Sequence, residues 1–496
     1  MKYYCLLLSF LLGFVASVSG QGRISVCNLR CEYIEDPIAV ENEMPLLSWK
    51  LRSAGQAKSQ TAYRILVASS PSLLTDKQAD FWDSGKVTSF SSNQIEYKGK
   101  SLESRQTLYW KVMVWDEKGK PSSWSDTGKW TMGLLKPSDW KARWIGNRED
   151  LYPDSTLTYP APYFRKGFRI GKPVRQAKAY ICGLGFYEMY LNGTKVGDQV
   201  LAPAVTNFDR RPLKNMLYFF DDQSTQRVLY NTFDVTSLLQ KEGNTVGVLL
   251  GNGWYNQRDR TVEGCMWYDT PRLLCQLEIE YVDGSTEMVC SDDSWKTTTG
   301  PLLHDGIFTG EVYDARLELD GWNRNGYDDS SWEKALVVRA PLGGLHAQLA
   351  PYDRVVRTLQ PVRCEQKNDS IYWFVFPEMV SGWAQINVEG NAGDQIKLRF
   401  VGEENDDFGQ VDLYTLRGNR REQWEPRFTW HTFRYIEVLS PQVKINESSL
   451  IAKVVHTDPE SAGSFDCSNE LFNKINEVYL RTQKNNFHGS ISSDCP

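Results

Sequence analysis

Apolar and polar residues alternate in short runs along the first quarter of the chain. "PLLSWKL", "TAYRILVAS", "LYWKVMVWD" and "KWTMG" follow this pattern, with turn signals between them. In "LYWKVMVWD", Trp110, Val112 and Val114 fall on one face of a strand, and Lys111 and Met113 on the other. About seven such strands over residues 24–135 predict a sandwich of the fibronectin type III or immunoglobulin kind. Residues 136–159, with "KPSDWKARWIGN" and its two tryptophans, read as a linker.

The same period continues over residues 160–345. "KAYICGLGFYEMYLNGTKVGD" places Asn192-Gly193 between alternating runs, a hairpin signal because both central residues of the tight turn need positive φ. "LLCQLEIEYVDGSTEMVCSDDSW" turns at Asp283-Gly284, and "TVGVLLGNGWYNQ" is a buried strand leaving into a loop. This block predicts a second, larger sandwich. Residues 350–456 predict a third, from "IYWFVFP", "GWAQINVEG", "DQIKLRFVGEE" and "FTWHTFRYIEVLS", with "EGNAGD" as a turn.

The period changes after residue 460. Ser468 is placed to cap a helix and Glu470 suits its first turn. Leu471, Phe472, Ile475, Val478 and Tyr479 then form one apolar stripe. Such a stripe needs a partner surface. Two readings stay open: a helical domain begins here, or the helix braces the third sandwich. The fold class is mostly β, tandem sandwiches followed by one helix.

Composition narrows the function. Lys plus Arg is 56 against 62 Asp plus Glu, a net charge of −6. With no basic run to neutralise phosphates, nucleic acid is not an expected partner. Aromatics reach 12%, with 17 Trp and 24 Tyr. They serve strand cores, and where exposed they stack on sugar faces. Residues 1–20 read as a signal peptide: Lys2, then "YYCLLLSFLLGFVASV", too short for a membrane span. Cleavage is expected near Gly20, giving a secreted or periplasmic protein with no membrane anchor. In that setting Cys27 with Cys31, or Cys265 with Cys275, are candidate disulfides. The scattered histidines and cysteines make no zinc pattern, and no metal site is readable.

Glycoside hydrolysis needs two carboxylates flanking the bond. "GEENDDFG" supplies Glu403, Glu404, Asp406 and Asp407, and "GEVYDAR" supplies Glu311 and Asp314 beside Arg316. A solvated loop accounts for the first group and an internal ion pair for the second. In "GNGWYNQRD", Trp254 and Tyr255 are candidates to stack on a pyranose, with Asn252 and Asn256 bonding its hydroxyls. The competing reading turns Trp254 inward to pin the loop.

Longer stretches carry a resemblance. "GLGFYEMYLNGTKVGDQVLAPAVTNFDRR", "YNTFDVTSLLQKEGNTVGVLLGNGWY" and "IFTGEVYDAR" with "GWNRNGYDDSSW" resemble the N-terminal β-sandwich of bacterial α-L-rhamnosidases, glycoside hydrolase family 78. "SGWAQINVEGNAGDQIKLRF" and "YTLRGNRREQWEPRFTWHTFRYIEV" resemble that family's concanavalin-like sandwich, and "LYWKVMVWDEKGKPSSWS" its leading fibronectin-type module. The resemblance implies inverting hydrolysis of terminal α-L-rhamnose from plant glycosides or pectic polysaccharides. It implies that "NFHGSISSDCP" opens an (α/α)6 catalytic barrel, in which Asp494 contacts rhamnose. By the family pattern the general-acid and general-base glutamates lie beyond Pro496, so the chain alone is expected to be inactive. The alternative is a non-catalytic carbohydrate-binding protein. Some family members carry a calcium-containing rhamnose-binding module; its ligand residues are not readable in this sequence, and calcium stays open as a cofactor.

Overall fold

In the strand Thr107–Trp115 every second residue is buried: Leu108, Trp110, Val112 and Val114. The computed structural model describes residues 24–53, 59–149, 159–210, 225–258, 267–403, 409–418 and 420–490. The chain divides into two compact units, one up to Gly133 and one from Leu134.

In the first unit Thr107–Trp115 pairs with Ala62–Ala68 on one side and Gly128–Met132 on the other, at the centre of a six-stranded sheet. A three-stranded sheet holds Ser25–Cys31, Leu46–Arg52 and Ile95–Glu96. Trp49 from the smaller sheet meets Tyr63 from the larger one edge-on, with ring centroids 5.4 Å apart. Its indole donates to Gln60 at 3.0 Å. This is an immunoglobulin-like sandwich. Cys27 and Cys31 lie on one strand, where four residues span roughly 13 Å. A disulfide tolerates about 7 Å between Cα atoms. Both thiols are free, as is that of buried Cys275, which corrects the candidate pairings. Cys265 lies outside the described residues.

The second unit is organised around one sheet. Its strand Asn244–Gly251 is buried at every position. Val246, Val248 and Leu250 enter a core shared with a seven-stranded sheet containing Val174–Leu184 and Arg272–Tyr281. Leu249 faces the other way, into a core shared with a ten-stranded sheet containing Ile371–Glu389 and His431–Leu439. Neighbouring strands split likewise, Tyr163 from Phe164 and Phe186 from Tyr187. Asn192 and Gly193 turn the chain at φ 55° and 85° between Phe186–Leu191 and Thr194–Lys195, as the pair predicts.

Three local readings change. "IYWFVFP" and "GWAQINVEG" form one strand, Ile371–Glu389, with Pro377 at the irregularity between Val375 and Val380, where a missing N–H interrupts no ladder. Gly310–Asp314 runs parallel to Val411–Thr415, so "GEVYD" belongs to the ten-stranded sheet and not to the block ending at 345. The described part of 136–159 is packed: Ile145–Gly146 joins the seven-stranded sheet, and Trp140 sits edge-on to Tyr180 and Tyr230.

The helix spans Glu470–Asn485. Its cap is Asn469 and not Ser468, because the Asn469 carboxamide oxygen accepts the Leu471 N–H at 3.0 Å. Leu471, Phe472, Ile475, Val478 and Tyr479 are 50–63% exposed. No described helix is long and apolar enough to cross a membrane.

The middle sheet admits its neighbours through glycines. A Cβ at Gly251 would lie 2.4 Å from the Phe428 ring. Gly251→Ala is therefore expected to cost about 1–3 kcal/mol by overpacking. A lower urea midpoint at unchanged m-value is the result that checks it.

Candidate functional site

The strand Asn244–Gly251 delivers the chain into a 3-10 turn, Gly253–Tyr255. Asn252 is fully engaged there. Its N–H donates to the Asp305 carboxylate at 2.6 Å and its side-chain amide to the Asp305 carbonyl at 2.9 Å. Asn256 donates to the Asn252 side chain at 2.8 Å. Tyr255 is buried, stacked on Tyr268 at 5.4 Å and edge-on to Phe208 at 5.7 Å. Burial pushes its phenol up. Trp254 is half-buried, edge-on to Phe308 at 5.8 Å and tilted against Trp430 at 5.9 Å.

The sugar-platform reading is corrected on these grounds. Tyr255 offers no face, the Asn252 groups are taken, and Trp254 turns toward the core to pin the loop. The pocket that Asn252 and Asn256 line holds about 20 Å³, room for a water and not a pyranose. Tyr268 is near in sequence, but Phe208, Asp305, Phe308 and Trp430 come from distant segments, which local pattern does not reveal.

The carboxylates of "GEVYDAR" separate. Asp314 pairs with Arg316 at 2.7 Å and accepts its backbone N–H, the ion pair anticipated from sequence. Glu311 instead enters a closed cluster with Asp305, Asp412 and His431. One Glu311 oxygen accepts from the backbone N–H groups of Arg427 and Phe428, at 2.8 and 2.6 Å. Asp412 accepts from the Glu311 N–H at 2.9 Å and lies 3.1 Å from His431 Nε2. Burial, then the charges of Asp305 and Asp412, push the Glu311 carboxyl well above its ordinary range. Glu188 shows the opposite balance. Burial pushes it up, but Arg427 and Lys195 outweigh burial and hold it at about 2.

Acid–base work on a glycosidic bond requires both carboxyls to face sugar and water. Glu311 and Asp412 have no exposed surface and Asp305 has 2%, so this cluster is structural. Glu403 is exposed, and Glu404, Asp406, Asp407 and Asp494 lie outside the described residues. Among the described residues no three His, Cys, Asp or Glu side chains are grouped to hold a metal ion.

A serine, a histidine and an aspartate meet where sequence spacing gave no hint of it. Ser381 Oγ is 2.7 Å from His488 Nε2, and His488 Nδ1 is 3.5 Å from Asp353. Asp353 also accepts from Thr457 Oγ1 at 2.5 Å and Gly489 N–H at 3.0 Å, and His488 stacks on Trp430 at 4.5 Å. Ser381 has no exposed surface, so no substrate carbonyl reaches it. The group is a latch. It fastens the segment after the helix to the ten-stranded sheet, helped by the Thr457 N–H to Phe487 carbonyl bond at 2.8 Å.

Glu311 yields a pH prediction. Folded Glu311 keeps a proton that the unfolded chain releases near 4.5. Its contribution is full below that value and declines as pH rises toward the folded-state pKa. Glu311→Gln removes the titration. Between about pH 4 and about pH 8 the wild type is expected to lose stability relative to the variant, read from urea midpoints at each pH.

Comparison with known proteins fits this architecture. Residues 26–136 match the family described as Rha78A-like, N-terminal immunoglobulin domain. Residues 172–219 and 220–357 match Alpha-L-rhamnosidase N-terminal domain, and 365–456 match Bacterial alpha-L-rhamnosidase concanavalin-like domain. An α-L-rhamnosidase of Formosa agariphila is 35% identical over 498 residues, covering 93% of this chain and 50% of that protein. One from Alteromonas sp. (strain LOR) is 31% identical over 490 residues, with coverages of 93% and 50%. The structure of α-L-rhamnosidase from Dictyoglumus thermophilum superposes with a TM-score of 0.85 at 37% identity, covering 95% of this chain and 53% of that one. The Streptomyces avermitilis α-L-rhamnosidase complexed with L-rhamnose shares the fold, with TM-score 0.84, 24% identity and coverages of 94% and 61%. The chain spans about half the length of the curated relatives it matches. With these three domain types in this order, the chain belongs to the bacterial α-L-rhamnosidases of glycoside hydrolase family 78, whose N-terminal portion it represents.

Proposed function

We propose that these sandwiches are the non-catalytic scaffold of an inverting α-L-rhamnosidase acting on terminal α-L-rhamnose of plant glycosides or pectic polysaccharides. One observation carries the reading beyond family membership. The helix Glu470–Asn485 is latched to the sheet at its C-terminal end, yet its apolar stripe from Leu471 to Tyr479 faces outward. A stripe of that kind suits packing against further helices, which supports the opening of an (α/α)6 barrel at this point. On this reading Asp494 contacts rhamnose, and the acid and base glutamates belong to the barrel.

The described carboxylates of the two acidic motifs are engaged in an ion pair (Asp314), a closed cluster (Glu311) or open solvent (Glu403), and none stands as one of an acid–base pair across a glycosidic bond. General acid–base assistance is worth roughly 10²–10⁴ in rate per group, and it requires positioning. Residues 1–496 alone are therefore expected to release no phenol from an aryl α-L-rhamnoside. The chain continued through a helical domain is expected to do so with inversion, followed by NMR of the first anomer formed. Turnover by residues 1–496 that a single substitution at Glu403 or Glu311 abolishes would sink the proposal.

Export belongs to the same reading, supported by Lys2 and the apolar run that follows it. The protein recovered from a periplasmic or culture fraction is expected to begin just after Gly20, as N-terminal sequencing would show. Recovery with residues 1–20 intact would exclude cleavage.

A further inference from the structure

We propose that the cleft between the helix Glu470–Asn485 and the strand Leu450–Thr457 is an accessory binding site for a neutral saccharide. The helix docks the wrong way round for an amphipathic element. Its apolar stripe is exposed, while Glu477, Arg481 and Lys484, on the opposite side of the helical wheel, face its own sheet. Instead of a packed core, an open cleft of about 460 Å³ separates the two. That volume falls in the range of small-molecule sites.

Ion pairs and hydrogen bonds bridge the cleft. Glu378 on the sheet pairs with both Arg357 and Arg481 Nε, the latter at 3.2 Å. At the last residue of the helix, the Asn485 side chain donates to the Met379 carbonyl at 3.3 Å, and beyond it the His488 latch closes the end. Such a site is formed before a ligand arrives, which lowers the ordering cost of binding.

The lining selects the ligand. Arg357, Arg481 and Lys484 are matched by Glu378, Glu477 and Asp458. His456 lies in the floor, 6% exposed, with Nδ1 2.6 Å from the Thr457 carbonyl. A carbonyl only accepts, so Nδ1 carries the proton and Nε2 presents a lone pair, with no partner among the described residues. Burial lowers the His456 pKa and favours this neutral form. Donor (Lys484) and acceptors (His456 Nε2, Asp458) therefore stand in a cleft without net charge. A phosphate or uronate gains little there. A sugar's neighbouring hydroxyls, each both donor and acceptor, suit it, and Val356 and Leu480 supply apolar surface for C–H faces.

The site requires no turnover, so its test is independent of the hydrolysis assay. Calorimetric titration of the whole chain with methyl α-L-rhamnopyranoside in the millimolar range is expected to give saturable heat, and galacturonic acid none. Lys484→Ala, which removes an exposed donor, and His456→Gln are each expected to weaken binding about tenfold. Lys484→Ala is expected to leave the urea midpoint unchanged, so a folding defect in His456→Gln does not decide the matter. Absence of heat from the rhamnoside, binding indifferent to Lys484→Ala, or tighter binding of galacturonic acid would each overturn the proposal.

Discussion

A sheet buried on both faces governs the larger unit. Because Asn244–Gly251 has no solvent side, its odd and even positions belong to different cores. The sandwich toward Arg272–Tyr281 and the layer toward Ile371–Glu389 share this wall, so neither is complete without it. The strands Leu302–Gly306 and Gly310–Asp314 then leave the stretch between the two blocks and pair with the far sheet. A one-residue slip in the shared strand would exchange its two core-facing sets.

Polar groups carried into that seam cannot keep their water. Each must find a partner or change its charge. Asp305 takes the N–H of Asn252, and Glu311 takes those of Arg427 and Phe428. Arg427 in turn answers Glu188. The same burial gives opposite results: Glu188 has cations at hand and stays ionised, while Glu311 has carboxylates at hand and is driven toward its neutral form. An acid-rich stretch such as "GEVYD" can therefore serve as mortar between sheets without being chemistry.

What was legible in the sequence is what depends on near neighbours. The alternation through Trp110, Val112 and Val114, the turn at Asn192-Gly193 and the helical stripe after Ser468 are all local, and the structure has them. The cap moved by one residue because Asn469 and Ser468 are both competent and only geometry chooses. Tyr255 was misread because the ring that covers it, Tyr268, belongs to a stretch with no pairing signal of its own. The latch was invisible for a related reason. Asp353, Ser381 and His488 are ordinary residues in their own contexts, and become a unit only when three segments converge.

The C-terminal helix shows how that convergence serves the whole. An amphipathic helix left to itself would turn its stripe onto the nearest sheet, since burying five large apolar side chains there is worth several kcal/mol. Here ion pairs from Arg481, the part-buried hydrogen bond of Asn485 and the buried contacts of His488 set the opposite orientation. Surface ion pairs alone are too weak for that. The closed hydrogen bonds around Asp353 are stronger, because breaking them would strand a carboxylate that is 4% exposed. The latch therefore fixes the helix with its apolar face outward, and the same constraint keeps a polar cleft open beneath it.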